Sequence, residues 1–575
     1  MTQELKRIPY GVASFETFRE RGYAYVDKTR FIKTLEDEDT LYPFIVRPRR
    51  FGKSVFANML MAYYDKAAKD DFAKNFAGTW IAEHPTPLAS KYLVLKFDFS
   101  GIDVNEDIVE SFTNKVKSGA RDFVKRHMKG EKAIEALFDK QYSSPSIFIT
   151  DFLSEVSYRL DEKIYLIIDE YDQFAQEILS NDAEQFRSIT GSEGFLKTFY
   201  ANIKDYAQSI IERIFITGVT SISLDSMTSG FNIATNISND SDFSGIMGFT
   251  DEELRNLIPQ LVNIKEYGQS VDEIFDRMKI LYDGYRFSPR SDVTVFNASM
   301  CLYYLKAIAK NNCEPANLLD PSFSVDLSKI NGILSLGKNQ TFVENIVCDV
   351  LFDRSIKALG ISPTINLNSS TGLSNRNVLT ALVFMGFLTF SSEEPGALVC
   401  PNRAVKDLFF QYWFWRIEHL HELEFPVESQ KKIVAALTKG DARPLFEFVA
   451  EALSNAVGVH ALSHLNESAI QMATFMAVNT NSVYKGTAEE EALGAGFTDL
   501  ILRPNERHPD AAGWVIEFKY LKKSEATKEA VDAKLEEAEE QLNRYSTAEN
   551  IANIQNLRRA AVVFSGTDLK GLKVF

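Results

Sequence analysis

Four short apolar runs, separated by segments long enough for helices, constrain the fold of this chain more than any other feature. The runs are rich in β-branched and aromatic residues and comprise LYPFIV (41–46), YLVLKFDF (92–99), KIYLIID (163–169) and RIFITGV (213–219). Such runs are typical of strands buried on both faces of a parallel sheet. The alternation with helical segments predicts an α/β domain over residues 1–250.

The pattern changes to mostly helical over residues 251–460. This region opens with a predicted capping box, in which Thr250 is followed three residues later by Glu253. Residues 377–415 predict a helix, two short strands around Glu-Pro-Gly and a second helix. That order suits either a winged-helix-like unit or an ordinary helical connector.

Residues 461–575 predict a second, smaller α/β domain. A charged helical stretch at about 525–547 precedes the last of its strand candidates, which are SVYKG (482–486), FTDLILRP (497–504), WVIEFKYL (514–521) and AAVVFSG (560–566). We therefore expect three parts, because a single hydrophobic core does not usually grow to 575 residues.

Composition and charge limit the function classes. Hydrophobic residues make up 45% and charged residues 25% of the chain, which is ordinary for a globular protein. The net charge of −16 excludes a surface coated for nonspecific DNA binding, so a nucleic-acid contact needs a local basic groove. The longest apolar run, residues 378–390, is too short to span a bilayer, so no membrane association is expected.

The cysteines and the N-terminus bear on the compartment. No pair of the four cysteines has Cys-x-x-Cys spacing, which argues against a disulfide framework and a structural zinc site. The opening sequence MTQELKRIPYG has no apolar core of a signal peptide. A cytoplasmic location is therefore expected, and assembly into a homo-oligomer is left open.

A phosphate-binding loop is predicted directly after the first strand. The sequence RPRRFGKS (47–54) is followed by a helical pattern, so Gly52, Lys53 and Ser54 stand between a strand and a helix. In that context backbone N–H groups bind phosphates, Lys53 reaches the β and γ phosphates, and Ser54 ligates Mg²⁺. Arg47 occupies the position where the usual motif has its first glycine.

The strand KIYLIID and the acids after it supply the second half of this predicted site. Asp169 suits the Mg²⁺ shell, and Glu170 suits the orientation of an attacking water. Thr217 lies at the end of the fourth strand. Its hydroxyl either senses the γ-phosphate or forms its hydrogen bond with the backbone. The phosphate loop also carries Arg50, assigned to nucleotide binding. Together with Arg47 and Arg49 it offers phosphate neutralisation, an arginine finger or ion pairs with the acids of DEYD (169–172).

A carboxylate–lysine constellation is predicted near the C-terminus. Glu517 and Lys519 share one face of a strand because they are two residues apart. If strands 497–504 and 514–521 form a hairpin, Asp499 meets that face. Two carboxylates suit Mg²⁺ or Mn²⁺ rather than zinc, and an adjacent lysine can position the attacking water.

Three further residues are candidates for this second site. Glu467 lies on a helical segment before the first strand and can add an outer carboxylate. Gln541 and Tyr545 are four residues apart on the charged helix, so they share a face. We expect them to contact the scissile phosphate or the neighbouring strand.

The motifs as a set resemble a known combination of domains. RPRRFGKS, YLVLKFDFSG, IIDEYD and FITGVTSISLDSMTSGFN resemble the bacterial AAA-ATPase-like family, and GFTDEEL and YDGYRF extend the match. The C-terminal part is similar to the PD-(D/E)XK nuclease superfamily domain that accompanies this ATPase, although Phe497-Thr498 replace the usual Gly-Arg before Asp499. The resemblance implies a P-loop NTPase coupled to a restriction-endonuclease-like α/β domain.

Two functions remain open on the sequence. The first is an enzyme that uses ATP and Mg²⁺ or Mn²⁺ and cleaves nucleic acid through its C-terminal domain. The second is a nucleotide-switched regulatory or interaction protein whose nuclease-like domain does not cleave, which the acidic net charge favours slightly.

Overall fold

The structure is a computed structural model of the 575-residue chain, whose contacts divide it into two compact units, Met1–Phe409 and Phe410–Phe575. None of the helices in the part of the chain described is long and apolar enough to cross a membrane. The described residues are 5–104, 107–174, 178, 189, 194–207, 209–220, 232–315, 319–320, 324–351, 354–357, 360–361, 373–420, 427–456, 467–479, 483–492, 496–505 and 508–575.

A five-stranded parallel sheet forms the centre of the first unit, as the sequence predicts. Its order is β2-β3-β4-β1-β5. Every residue of β1 and β3 is buried, which explains why these strands are continuously apolar. All neighbouring strands are parallel, with one register shift between β3 and β4 at Ile164 and Tyr165. The strands are β1 (Pro43–Val46), β2 (Leu93–Asp98), β3 (Ile164–Asp169), β4 (Ile211–Gly218) and β5 (Thr235–Asn236).

Helices cover this sheet and connect its strands. A glycine in the longest one shows how closely they pack, because a Cβ at Gly119 would lie 2.4 Å from the carbonyl oxygen of Lys96 on β2. The helices are α1 (Phe15–Glu20), α2 (Arg30–Asp37), α3 (Lys53–Tyr64), α4 (Phe72–Asn75), α5 (Trp80–Glu83), α6 (Ile108–His127), α7 (Lys132–Glu135), α8 (Pro145–Arg159) and α9 (Phe195–Tyr206), with 3₁₀ turns at Lys66–Asp71 and Ala136–Asp139.

The helical middle region begins at the predicted capping box. The Thr250 hydroxyl accepts from the Glu253 N–H at 3.4 Å, and the Glu253 carboxylate accepts from the Thr250 N–H at 2.8 Å. A 3₁₀ turn at Ser241–Phe243 precedes this region, whose helices are α10 (Asp251–Leu261), α11 (Ile264–Tyr267), α12 (Val271–Tyr282), α13 (Ala298–Asn311), α14 (Ser324–Ser335), α15 (Gln340–Leu351), α16 (Asn375–Phe384) and α17 (Arg403–Leu420).

Between α16 and α17 lie the two short strands that the sequence predicts. They are antiparallel, with Thr389 opposite Val399. A third short strand joins them in the order β6-β8-β7, where β6 is Ile356–Lys357, β7 is Thr389–Phe390 and β8 is Ala397–Val399.

The second unit is built on a mixed sheet of order β13-β12-β11-β10-β9. Strands β11 and β12 are parallel and the other neighbours are antiparallel. The predicted hairpin of β10 with β11 is present, and the last strand is one that the sequence analysis missed. The strands are β9 (Tyr484–Ala492), β10 (Gly496–Pro504), β11 (Trp514–Leu521), β12 (Arg558–Ser565) and β13 (Asp568–Val574).

Alternate residues of these strands enter two separate cores. Trp514, Ile516 and Phe518 pack with α18 (Val427–Thr438), α19 (Arg443–Ala456) and α20 (Glu467–Asn479). Ile501, Val515 and Ala561 pack instead with α21 (Lys528–Tyr545) and α22 (Glu549–Ala552). Side chains alternate between the two faces of a strand. Glu517 and Lys519 therefore lie on the same face of the sheet as Val515, which is the face covered by α21.

Candidate functional sites

The phosphate loop has the geometry that its sequence predicts. Gly52 has φ +96° and lies immediately before α3, a backbone conformation that favours glycine. Lys53 is 3% exposed, and its ammonium lies 3.3 Å from the carboxylate of Glu170 and 3.3 Å from the carbonyl oxygen of Pro48. Gly52, Lys53 and Ser54 therefore begin a buried helix beside the acids that follow β3.

Asp169 is completely buried at the end of β3. Neither of its carboxylate oxygens makes a hydrogen bond within the described residues, although the ammonium of Lys96 lies 3.4 Å from Oδ2. Burial raises the pKa of Asp169, while Lys96 and the nearby Ser54 hydroxyl act in the opposite direction. The Ser54 hydroxyl and the Asp169 carboxylate are thus brought together, as a shared cation would require.

Glu170 is held in a left-handed backbone conformation, with φ +53°. This conformation is unfavourable for a residue with a side chain and typically costs about 1–3 kcal/mol. Its Oε1 faces Lys53, and its Oε2 is buried without a hydrogen-bond partner among the described residues. In this strained conformation a carboxylate oxygen of Glu170 faces the phosphate-loop site.

Thr217 lies on β4, between the phosphate-loop strand and the strand of Asp169. It pairs with Ile45 of β1. Its backbone carbonyl accepts from the Tyr171 N–H at 3.1 Å, but its buried hydroxyl makes no hydrogen bond in the described part of the chain. A contact of the Thr217 hydroxyl with the γ-phosphate remains a prediction.

Arg47 is a structural residue rather than a phosphate ligand. Its guanidinium donates to the carbonyl oxygens of Val46, Ser238 and Phe243 at 2.9, 2.7 and 3.0 Å, and it lies over the ring of Phe287. These contacts explain why arginine replaces the first glycine of the usual motif. The phosphate, arginine-finger and ion-pair roles considered for the arginines of this loop do not apply to Arg47.

Arg49 and Arg50 anchor the loop through their backbones. Asn297 donates its side-chain amide to the Arg49 carbonyl at 3.3 Å. The backbone N–H and hydroxyl of Ser299 lie 3.2 and 3.3 Å from the Arg50 carbonyl, and Arg50 has φ +72°. The open alternatives for the side chains of Arg49 and Arg50 remain predictions.

A cavity of about 320 Å³ adjoins the phosphate loop. Its lining combines loop residues, including Arg50, Lys53 and Ser54, with Tyr25 from the N-terminal segment and Phe249 from the start of the helical region. Ligand pockets of small molecules are typically apolar and of at least this size. The cavity can therefore hold the remainder of a ligand whose phosphates occupy the loop.

The sequence analysis missed the basic residue next to Asp169. Lys96 donates to the Asn58 side-chain oxygen at 2.7 Å, and Asn58 donates to the carbonyl oxygen of Ala13 at 3.0 Å. This chain of contacts links the wall of the cavity to Asp169. A signal was present, because Lys96 is the lone charge within the apolar run LVLKF.

The third acid of DEYD also has a role that the sequence did not reveal. Asp172 is buried and accepts from the N–H groups of Val219 and Thr220 at 3.0 and 2.6 Å, and from the Thr220 hydroxyl at 2.7 Å. It fixes the backbone that follows Thr217.

In the second unit, Asp499 and Glu517 lie on neighbouring strands. The register pairs Leu500 with Ile516, and Asp499 and Glu517 are the adjoining residues of the two strands. Asp499 Oδ2 accepts from the N–H of Phe518 at 2.7 Å. Burial and the Asp499 charge raise the pKa of Glu517 to about 8.

Lys519 lies within this carboxylate cluster. Its ammonium is 3.1 Å from Glu517 Oε1. Burial alone would lower the pKa of Lys519, but Glu517, Glu467 and Asp499 raise it above its usual value. Glu467, the first residue of α20, also accepts the backbone N–H of Tyr520, and burial raises its pKa.

The two predicted residues of α21 face the same region. Tyr545 is 3% exposed, and burial together with the charges of Glu517 and Asp499 raises its pKa. Gln541 lies one turn earlier, and its buried Oε1 has no hydrogen-bond partner among the described residues. The structure therefore brings Asp499, Glu517, Lys519, Glu467 and Tyr545 together, with Gln541 on the adjoining turn.

Buried carboxylate oxygens without a hydrogen-bond partner indicate whether a divalent cation fits each site. Both carboxylate oxygens of Asp169 and the Oε2 of Glu517 lack hydrogen-bond partners within the described residues. Burying such oxygens is costly unless a cation or donor satisfies them. Among those residues no group of three or more His, Cys, Asp and Glu is arranged to hold a metal. One or two carboxylates with bound waters suit Mg²⁺, so the residues present fit this ion.

Comparisons with known proteins agree with the two units. The chain is 25% identical over 295 residues to the "Uncharacterized protein in vnfD 5'region" of Azotobacter chroococcum mcd 1, an alignment that covers 49% of each chain. It thus spans about half the length of this curated relative. Residues 9–228 match the family model described as "Predicted AAA-ATPase", and residues 465–572 match that of the PD-(D/E)XK nuclease superfamily. The chain therefore combines an AAA-ATPase-like domain with a C-terminal PD-(D/E)XK nuclease superfamily domain.

Proposed function

We propose that this protein binds ATP with Mg²⁺ at the phosphate loop and hydrolyses phosphodiester bonds of nucleic acid at the Asp499 site. The observation that carries the proposal is the cluster of Asp499 and Glu517 beside Lys519, in which the Asp499 charge acts on Glu517 and one buried Glu517 carboxylate oxygen has no hydrogen-bond partner among the described residues. Such an arrangement raises the energy of the empty site and favours a bound cation.

The residues of the second site divide the chemistry between them. Asp499 and Glu517 would hold Mg²⁺ or Mn²⁺, which when bound polarises the scissile phosphate. Lys519 would hold the attacking water or offset developing negative charge. Gln541 and Tyr545 lie on the helix that covers this face and are candidates to contact the phosphate or the adjacent strand. Glu467 is an outer carboxylate that faces Lys519.

The residues of the first site are proposed for nucleotide binding and hydrolysis. Gly52, Lys53 and Ser54, with Arg50 at the cavity, would bind the phosphates, and Ser54 and Asp169 would hold Mg²⁺. Glu170 would orient the attacking water, and Thr217 would contact the γ-phosphate. Coupling between this site and the nuclease site is part of the proposal.

A cleavage assay with plasmid and labelled oligonucleotides tests the proposed nuclease. The wild-type protein is expected to cleave with Mg²⁺ or Mn²⁺ and not with EDTA. Coupling of the two sites predicts different cleavage rates with and without ATP. Asp499→Ala and Glu517→Ala should lose metal binding and cleavage together. Lys519→Ala should retain metal binding and lose about 10²- to 10⁴-fold in rate.

Asp510→Ala is the matched control for these variants. Asp510 is an exposed carboxylate in the loop between β10 and β11, and its variant should cleave at the wild-type rate. Wild-type activity in Asp499→Ala would place the nuclease site elsewhere.

One observation favours the second candidate, a nucleotide-switched protein whose nuclease-like domain binds without cleaving. The helix α21 beside the site carries exposed acids, including Glu536 and Glu540, which repel a nucleic-acid backbone. Metal binding at Asp499 without cleavage of any DNA or RNA would support this candidate.

A further inference from the structure

Asp499 is next to the pair of Leu500 with Ile516 in the ladder between β10 and β11. The ladder between β9 and β10 keeps one register on both sides of it, with Thr498 opposite Glu490 and Leu500 opposite Ala488. On the other side, the Phe518 N–H is bonded to the Asp499 carboxylate at 2.7 Å. The Asp499 side chain therefore joins β10 to the backbone of β11 beside the paired residues.

A buried glutamine contacts the backbone of the same acid. Gln471, on α20, donates its side-chain amide to the backbone carbonyl of Asp499. Its side chain is 7% exposed. A buried carbonyl left without a donor typically costs about 1–3 kcal/mol, so this contact fixes the strand locally.

The same helix has a second contact with the site, one turn away. Glu467 precedes Gln471 by four residues, so the two share a face of α20. Glu467 accepts the backbone N–H of Tyr520 and faces Lys519. Helix α20 thus holds β10 at Asp499 and β11 beside Lys519.

We propose that Gln471 is a positioning residue of the proposed nuclease site, which sets the Asp499 carboxylate against Glu517 by holding the Asp499 carbonyl. The proposal rests on the metal-dependent activity proposed above. Groups that orient metal ligands typically change metal affinity or activity by about 10- to 100-fold when they are removed.

The test compares Gln471→Met with Thr474→Val in the full-length protein. Methionine keeps the length of the glutamine side chain and lacks the donor. Thr474 is a matched control because it is completely buried on the same helix and donates to the Ile470 carbonyl at 2.8 Å, so its variant also loses one hydrogen bond. Thermal unfolding, Mn²⁺ binding by calorimetry and the Mn²⁺ dependence of cleavage are measured for both.

Gln471→Met is expected to raise the Mn²⁺ concentration for half-maximal cleavage about 10- to 100-fold, with the rate recovered at high Mn²⁺. Thr474→Val should unfold at a temperature similar to that of Gln471→Met and keep the wild-type Mn²⁺ dependence of cleavage. Identical Mn²⁺ dependence of the two variants would overturn the positioning role. If Gln471→Met does not fold, Gln471→Asn, whose shorter amide does not span the same distance, gives the same comparison. Wild-type protein that neither binds Mn²⁺ nor cleaves would instead overturn the nuclease proposal itself.

Discussion

At the scale of single residues, the phosphate-loop site is arranged around two lysine–carboxylate contacts. Lys53 lies beside Glu170, and Lys96 lies beside Asp169. Each lysine offsets a charge that would otherwise be buried and unpaired. A bound phosphate must compete with Glu170 for the ammonium group of Lys53. The contact between Lys53 and Glu170 therefore links phosphate binding to the charge environment of Glu170, the proposed catalytic residue.

Glu170→Gln should therefore bind ATP at least as tightly as the wild type and hydrolyse it about 10²- to 10⁴-fold more slowly. The amide is isosteric but removes the charge that pairs with Lys53. Calorimetry measures the binding, and phosphate release measures the hydrolysis. An unchanged hydrolysis rate would show that Glu170 does not orient the water.

Lys53→Ala should abolish detectable ATP–Mg²⁺ binding because it removes the cation that the phosphates require. The variant also leaves Glu170 without its counter-charge, so its unfolding temperature is measured alongside. Lys66→Ala is the control, since Lys66 is exposed and pairs with Glu162. Equal ATP affinity in the wild type and Lys53→Ala would contradict the assignment.

The raised pKa of Glu517 predicts a pH dependence of stability without metal. Its folded-state pKa of about 8 lies above the ordinary glutamate value of 4.5, so the folded protein holds the proton more tightly than the unfolded chain. The associated stability is present below about pH 4.5 and is lost as the pH rises to about 8. Glu517→Gln has no such proton to lose.

In EDTA, Glu517→Gln should therefore gain stability relative to the wild type between pH 5 and 8. The difference in the free energy of unfolding between the two proteins should change by at most about 1.4 kcal/mol per pH unit, which is the limit for one proton. Denaturant unfolding of both proteins at several pH values measures it. A difference in stability that does not change with pH would contradict the raised pKa.

At the scale of elements, the end of β4 is packed too tightly for a larger residue. A Cβ at Gly218 would lie 2.4 Å from both Asp172 Oδ1 and a ring carbon of Tyr171. Gly218→Ala should therefore cost about 1–3 kcal/mol of stability and weaken ATP binding through displacement of Thr217. Gly245→Ala is the control, because its Cβ would have no neighbour closer than 3.7 Å. Equal unfolding midpoints for the two variants would show that β4 adapts.

Elements with a strong local pattern could be predicted from the sequence, and those set by distant contacts could not. The strand at 514–521 has the predicted bounds, because Trp514, Ile516 and Phe518 alternate with residues of the other core. The final strand, DLKGLKV, has little apolar pattern because it lies at the sheet edge and is largely exposed.

The residues of the candidate sites also separate into those that a local pattern predicts and those that only distant contacts place. Asp499, Glu517 and Lys519 could be predicted because strand alternation and one hairpin determine their placement. Gln471 could not, because its partner is a backbone carbonyl 28 positions away, and a backbone carbonyl has no side-chain signature. Arg47 likewise required the carbonyl groups of Ser238 and Phe243, which only the fold brings to it.

At the scale of the whole molecule, the phosphate loop is held by segments from beyond residue 240. Phe51 packs edge-on against Tyr285 and Phe287, with ring centroids 4.9 and 5.4 Å apart, and its carbonyl accepts the Gly248 N–H at 2.9 Å. With the contacts of Asn297 and Ser299, these interactions join the loop to the helical region within the first unit. A change at the nucleotide site therefore has a direct path into that region.

The division of the chain into two compact units can be tested by limited proteolysis. The boundaries proposed from composition lie near 250 and 460, and the contacts divide the chain between Phe409 and Phe410. Because the phosphate loop is bound to residues on both sides of position 250, we expect no early cleavage there. We expect a stable C-terminal fragment that begins between about 410 and 465 and contains the whole β9–β13 sheet, together with an N-terminal fragment that still binds ATP. Mass spectrometry of the fragments identifies the cut, and a first cut near 250 or within 497–521 would contradict this organisation.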